Sequence, residues 1–243
     1  MGILPKLNDT PNYTMTIPST GETIGYRPYL VKEEKVMLMA NETGDQKQVM
    51  EAMANTIRAC CDEKVNVPTL TTFDVEYMFT QIRAKSVGET TEVNARCNAV
   101  DCEHQTPITI NLTEAEVDMS KSPKNNLVEL TDNISIEVQF PTYQSMYENM
   151  ASNENELNQI DFTFQMTEKC IVAVITEDER ILMSEATPKE RKEFIDSMTN
   201  QQFESLASYL SNIPSLGLDV SWTCESCNHE NEYRLEGLQD FFS

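Results

Sequence analysis

The stretches Cys97-Asn-Ala-Val-Asp-Cys102 and Cys224-Glu-Ser-Cys227 each place two cysteines in one short turn. The residues on either side alternate in polarity. Thr91–Arg96 leads into the first turn and Thr106–Leu112 leads out, with Val93, Ile108, Ile110 and Leu112 as the apolar positions. Gly217–Thr223 and Asn231–Leu235 flank the second, carrying Leu218, Val220, Trp222, Tyr233 and Leu235. Period-two alternation on both sides of a turn predicts a β-hairpin. The reading is therefore two hairpins, each presenting two thiols at its tip.

Two close pairs of thiolates are what a tetrahedral zinc ion requires, because each turn aims two sulfurs at one point and two turns complete the shell. Cys97, Cys102, Cys224 and Cys227 are the expected ligands of one structural zinc per chain. Zinc knuckles usually lie roughly 15 to 20 residues apart, whereas here the whole stretch from Glu103 to Thr223 intervenes. The ribbon is thus discontinuous, and the ion would clamp the ends of a long insertion. Disulfides and unliganded thiols are the alternatives. An odd cysteine count of 7, a start of Met-Gly-Ile-Leu-Pro without a basic-then-apolar leader, and the adjacent Cys60-Cys61 pair suit a reducing compartment and favour zinc. His104 and His229, the 2 histidines of the chain, each sit two residues past a pair. Either can replace a cysteine or donate to a sulfur from behind it.

A chain of 243 residues suits one moderate domain or two small ones with a real core. Its 18 basic and 40 acidic residues give a net charge of -22, which repels phosphate backbones and argues against direct nucleic-acid binding. Basic protein surfaces are better partners, and solubility alone also accounts for such charge. No apolar run approaches the roughly 18 residues that cross a bilayer, so no membrane role is expected. Synthesis and residence in the cytosol are the expectation, and the sequons at Asn8, Asn12 and Asn133 then carry no glycosylation meaning.

The expected fold is α+β: a mostly helical body with an N-terminal β-hairpin and a discontinuous zinc-ribbon β unit. Residues 1–30 form an extended arm, in which Tyr13–Ile17 and Glu22–Tyr26 pair around Pro18-Ser-Thr-Gly21. Residues 31–88 hold three helices. The first runs from Val31 to about Asn41. The second carries Val49, Met50, Met53, Ile57, Cys60 and Cys61 on one stripe, read as core thiols rather than a reactive pair. The third begins at a capping pair, Thr71 and Asp74, and buries Val75, Met78, Phe79 and Ile82.

Residues 89–113 plus 214–243 form the ribbon unit, and 114–213 an inserted hairpin and helical segment. After Leu112 a polar surface loop is expected through Lys124. Leu127–Leu130 and Ile134–Phe140 then flank Asp132-Asn133, a dipeptide that accepts positive φ in a tight turn. From Thr142 to Ile213 the pattern reads as helical throughout. Tyr143, Met146, Tyr147 and Met150 form one face, and Leu157, Ile160, Phe164, Cys170, Ile171 and Val174 mark a longer helix approached by Asn153, Asn155 and Asn158. Thr187-Pro188 with Glu190 starts another, and Asn200 caps the last. The apolar end, with Phe241 and Phe242, either docks on the core or binds a partner, and the area that two rings bury favours docking.

Phosphate loops, nucleophile elbows, paired-carboxylate motifs and the H-E-x-x-H pattern are absent from the sequence. A four-cysteine zinc site is closed, so it offers no position for substrate or water. An enzyme is not expected.

The opening Leu4-Pro-Lys-Leu-Asn8, the turn Pro18-Ser-Thr-Gly21, the run Tyr26–Lys35 with Leu38-Met39, and the close from Cys224 through Phe242 resemble baseplate proteins of T-even-like contractile-tailed bacteriophages. The resemblance implies a non-enzymatic hub subunit or hub assembly factor that binds other baseplate and hub proteins. It implies action in the cytoplasm of the infected bacterium, with or without retention in the virion tail. A zinc-ribbon adaptor for the transcription machinery is the competing reading, to be favoured by a basic, aromatic face on the ribbon. Near the knuckles the sequence offers only Arg96 and Arg234.

Overall fold

The computed structural model describes residues 10–62, 65–123, 125–152 and 159–242. The Leu4–Asn8 opening, Lys124, Asn153, Asn155, Leu157 and Asn158 lie outside these residues, as do the side chains of Ile160 and Phe242.

In chain order, β1 (Tyr13–Thr16) and β2 (Thr23–Tyr26) precede α1 (Val31–Thr43), α2 (Gln46–Cys60) and α3 (Thr72–Ser86). Strands β3 (Thr90–Arg96), β4 (Gln105–Asn111), β5 (Glu116–Val117), β6 (Leu127–Thr131) and β7 (Ile134–Val138) follow. Next come α4 (Tyr143–Ser152), α5 (Gln159–Cys170), β8 (Ile171–Ile175) and β9 (Arg180–Leu182). The chain ends with α6 (Pro188–Asp196), α7 (Asn200–Ser211), β10 (Leu216–Thr223), β11 (Glu230–Glu236) and α8 (Gly237–Phe242). Helices beside several small antiparallel sheets make this an α+β protein.

The chain divides into two compact units. The first comprises Met1–Val67, Phe73–Val117 and Ser215–Ser243, and the second Pro68–Thr72 and Asp118–Pro214.

In the first unit the N-terminal hairpin forms as expected, with Tyr13 opposite Tyr26 and Met15 opposite Ile24. Gly21 takes the left-handed conformation that closes its turn (φ 70°). Ser19 anchors that turn to α3 by donating its backbone N–H and its hydroxyl to the buried Asp74 carboxylate, at 2.9 and 2.6 Å. Glu33 starts α1 by accepting the Leu30 N–H (2.8 Å) and pairs with Arg27 (3.1 Å). Burial works against its charge, and these partners still hold its carboxyl below the ordinary value. Met53, Ile57 and Cys60 form the buried stripe of α2, as their spacing predicts.

The core that matters for the site gathers Val93, Ile110, Leu112, Leu216, Leu218 and Leu235 from the two cysteine hairpins. Phe241 of α8 completes it and is fully buried, so the C-terminal ring docks as expected. The segment after Leu112 is a correction, because it is not a surface loop throughout. Ala115 is buried, and Glu116 and Val117 pair with Gly217 and Leu216 as the third strand of the β11-β10-β5 sheet. The chain therefore leaves this unit and re-enters it on hydrogen-bonded neighbours.

The second unit contains the antiparallel sheet β6-β7-β8-β9 with α4 to α7. Ile136, Val138, Ile171, Met183, Ile195 and Leu206 form its core. The expectation of helix from Thr142 to Ile213 fails here. Helix α5 stops at Cys170, whose carbonyl accepts the Gln139 N–H (2.8 Å), and Ile171–Ile175 crosses to the sheet against β7. Five apolar residues rich in β-branches suit a buried strand, and periodicity alone does not separate that from a helix continuation. The cap of α7 also moves. Thr199, not Asn200, accepts the Gln202 N–H, and Gln202 returns the bond to the Thr199 N–H. In the β6–β7 turn Asn133 does not adopt positive φ, since Asn228 is the non-glycine residue that does so among the described residues. The Thr131 hydroxyl accepts the Asn133 N–H (3.3 Å) and the ladder shifts register between Glu129 and Thr131. The capping box of Thr187 and Glu190 at Pro188 forms as read.

Candidate metal centre

Strands β3 and β4 pair from Thr90 with Asn111 to Arg96 with Gln105, and the turn beyond them carries Cys97 and Cys102. Strands β10 and β11 pair from Gly217 with Glu236 to Thr223 with Glu230, and their turn carries Cys224 and Cys227. Directly paired residues share a sheet face. Val93 with Ile108 and Leu218 with Leu235 therefore mark the inner faces, which bury in one core while the tips meet beyond it.

At the tips the Sγ atoms of Cys97, Cys102, Cys224 and Cys227 all lie within 4.8 Å of one another. The Cys97–Cys227 separation is 3.7 Å and the Cys102–Cys224 separation is 3.8 Å, both across the hairpins. Four sulfurs about 2.3 Å from a central zinc would stand about 3.8 Å apart, the edge of a tetrahedron of that radius. The donor set and its spacing fit a metal ion. This is the one group of its kind among the described residues.

The two tips share a backbone pattern. The N–H of Cys97 donates to the His104 carbonyl and that of Cys224 to the His229 carbonyl, each at 2.9 Å. The Asn228 N–H donates to the Cys224 carbonyl (2.9 Å), with Asn228 in the left-handed region at φ 57°. Amides also aim at sulfur. The N–H groups of Cys227 and then Ser226 stabilise the Cys224 thiolate and draw its pKa down to about 6. The His229 N–H does the same for Cys227, but desolvation and the three neighbouring thiols outweigh it and push that thiol up to about 12. One sulfur ionises readily while Cys102 and Cys227 resist, which is the behaviour of a thiol cluster that a cation would complete.

The three remaining cysteines behave differently. Burial raises Cys60 to about 11 and Cys61 and Cys170 to about 12. Cys60 and Cys170 are core thiols, as the stripe on α2 suggests for Cys60, whereas Cys61 is half-buried at the C-cap of that helix.

Both histidines contribute backbone atoms to the tips, and their exposed imidazoles do not belong to the sulfur group. Asn231 is the residue that the sequence reading missed. It is buried, its side-chain oxygen accepts the Asn98 N–H (2.9 Å), and its amide nitrogen donates to the His229 carbonyl (2.9 Å). A polar residue at an inward strand position, directly opposite Trp222, was the available signal.

An open depression along β10–β11 is lined by Asp219, Val220, Ser221, Glu232, Tyr233 and Arg234. Its arginine is engaged by Asp219 at 2.8 Å and Glu236 at 3.6 Å. No helix among the described residues is long and apolar enough to cross a membrane.

A family model described as T4 bacteriophage base plate protein matches residues 10–243. No curated protein and no solved structure matches the chain.

Proposed function

The chain belongs to the T4 bacteriophage base plate protein family, and on that premise we propose that it is a non-enzymatic hub subunit or hub assembly factor that works by binding other baseplate and hub proteins. Its ribbon unit carries one structural zinc, held by Cys97, Cys102, Cys224 and Cys227. The 3.7 and 3.8 Å sulfur separations across the hairpins are the observation that carries the zinc assignment.

When bound, such an ion supplies a closed four-thiolate crosslink with no position left for substrate. The residues of the chain do the rest. Amides of Cys227, Ser226 and His229 favour the thiolate forms. The core beneath orients the two hairpins, and the β5–β10 pairing holds the ends of the insertion side by side. A crosslink at the tips and a ladder at the base would keep this unit rigid while partners load onto it. Action in the infected cell's cytoplasm accords with seven unbridged thiols.

The test is quantitative mass spectrometry of the chain in purified hub intermediates and in mature virions from one infection. A fixed stoichiometry in both identifies a hub subunit. Presence in intermediates alone identifies an assembly factor, and absence from both contradicts the hub assignment.

A further inference from the structure

Helix α1 buries one side through Glu33 and Ala40 and leaves the opposite side bare among the described residues. Leu38 and Met39 are 60% and 57% exposed there, with Val31 also exposed on that side. Scattered apolar residues are ordinary on a surface, but these share one face of one helix. Charge is arranged along the same face. Lys35 stands on its N-terminal side, next to a Lys32 that pairs with Glu33 at 3.2 Å, Glu42 stands on its C-terminal side, and the exposed Asp45 follows at the cap of α2. Lys35 and Glu42 make no ion pair among the described residues. Seven residues separate them, two helical turns or about 10.5 Å, so they lie on one line with Leu38 between.

A face that is positive at one end, apolar in the middle and negative at the other is complementary to itself when reversed. We propose that α1 is an isologous docking surface for a second copy of this chain, packed antiparallel about a two-fold axis beside Leu38 and Met39. The axis sets Leu38 against Met39 of the second copy and Lys35 against Glu42 of the second copy, each contact occurring twice by symmetry. Displacing the axis by one turn towards the N-terminus would bring lysine to lysine, so the charges also select the register.

A helix of 13 residues is about 20 Å long, and one such pair buries less than the roughly 1,200 Å² of a stable complex. The dimer is therefore weak and concentration-dependent. Repulsion between two chains of net charge -22 opposes it, and is screened beyond about 8 Å at physiological salt while contact pairs persist.

The experiment is sedimentation equilibrium of the zinc-loaded chain at physiological salt, up to about millimolar concentration. Wild type should show a monomer–dimer equilibrium. Lys35→Glu and Glu42→Lys should each weaken it roughly tenfold, since each turns two attractive pairs into two repulsive ones. Mixing the two single variants should restore association as a heterodimer, and the double variant should restore the homodimer. Circular dichroism and metal content should stay unchanged in all of them, because both residues are exposed. A wild type that remains monomeric throughout overturns the proposal. So does a dimer that neither single reversal alters, or a mixture that recovers nothing. None of these outcomes bears on the hub assignment, which rests on the family match and a separate measurement.

Discussion

The side-chain oxygen of Asn231 accepts the backbone N–H of Asn98 at 2.9 Å, joining two cysteine turns that are 133 residues apart in sequence. Asn231 is almost wholly buried, and its other amide atom is committed to the His229 carbonyl. Replacing it with leucine strands the Asn98 donor and removes one of the two bonds to the His229 carbonyl, which still accepts the Cys224 N–H. An unsatisfied buried polar group costs about 1–3 kcal/mol, so Asn231→Leu should lower the midpoint of urea unfolding by a corresponding amount. Asn231→Asp keeps the acceptor for Asn98 but sets a buried carboxylate oxygen against the His229 carbonyl, and should cost at least as much. Equal midpoints for wild type and the leucine variant, with metal bound, would show that the bridge does not stabilise the tips.

The cysteines should separate into two chemical classes under alkylation. With metal bound, all seven should react slowly with iodoacetamide near neutral pH. Four are ligated in this account, and burial holds Cys60, Cys61 and Cys170 at about 11, 12 and 12. A strong chelator should expose Cys97, Cys102, Cys224 and Cys227 to rapid labelling and leave the other three unlabelled, as read by peptide mapping. Fast labelling of Cys60 or Cys170 in the folded chain would contradict the assignment of these thiols to the core.

Glu76 on α3 makes stability depend on pH in a stated direction. Burial raises its carboxyl from the ordinary 4.5 to about 7. Between those values the folded chain holds a proton that the unfolded chain has released, so this group lowers stability as pH rises from about 4.5 to 7 and adds nothing further above that. Glu76→Gln removes the cost. It should stabilise the chain at about pH 8 by up to about 3 kcal/mol and by much less at about pH 5. Taking the difference from wild type at each pH cancels contributions that the two share. A difference independent of pH would mean that the carboxyl titrates normally.

The elements that carry the candidate site were legible because their signals are local. Alternation around Cys97–Cys102 and Cys224–Cys227 gives both hairpins, and the spacing within each pair gives the turns. The meeting of the two tips is long-range, and it was legible only because two close pairs of thiols suit a single metal ion. Nothing similar marks Asn231, whose role depends on the backbone of the other hairpin. The failures have the same origin. Ile171–Ile175 is a strand because β7 lies beside it, while its own residues fit either state. Glu116 and Val117 are too few to show a period, and they pair because β10 returns alongside them. Thr199 outcompetes Asn200 as a cap because Gln202 stands three residues on to complete the reciprocal bonds.

The most direct test of the zinc clamp is the metal content of the chain, purified under reducing conditions without chelator and measured by native mass spectrometry beside elemental analysis. The account predicts one zinc per chain and its loss in Cys224→Ser, with cobalt substitution giving the spectrum of a tetrahedral four-thiolate site. A wild-type chain that is folded, fully reduced and free of metal would contradict it.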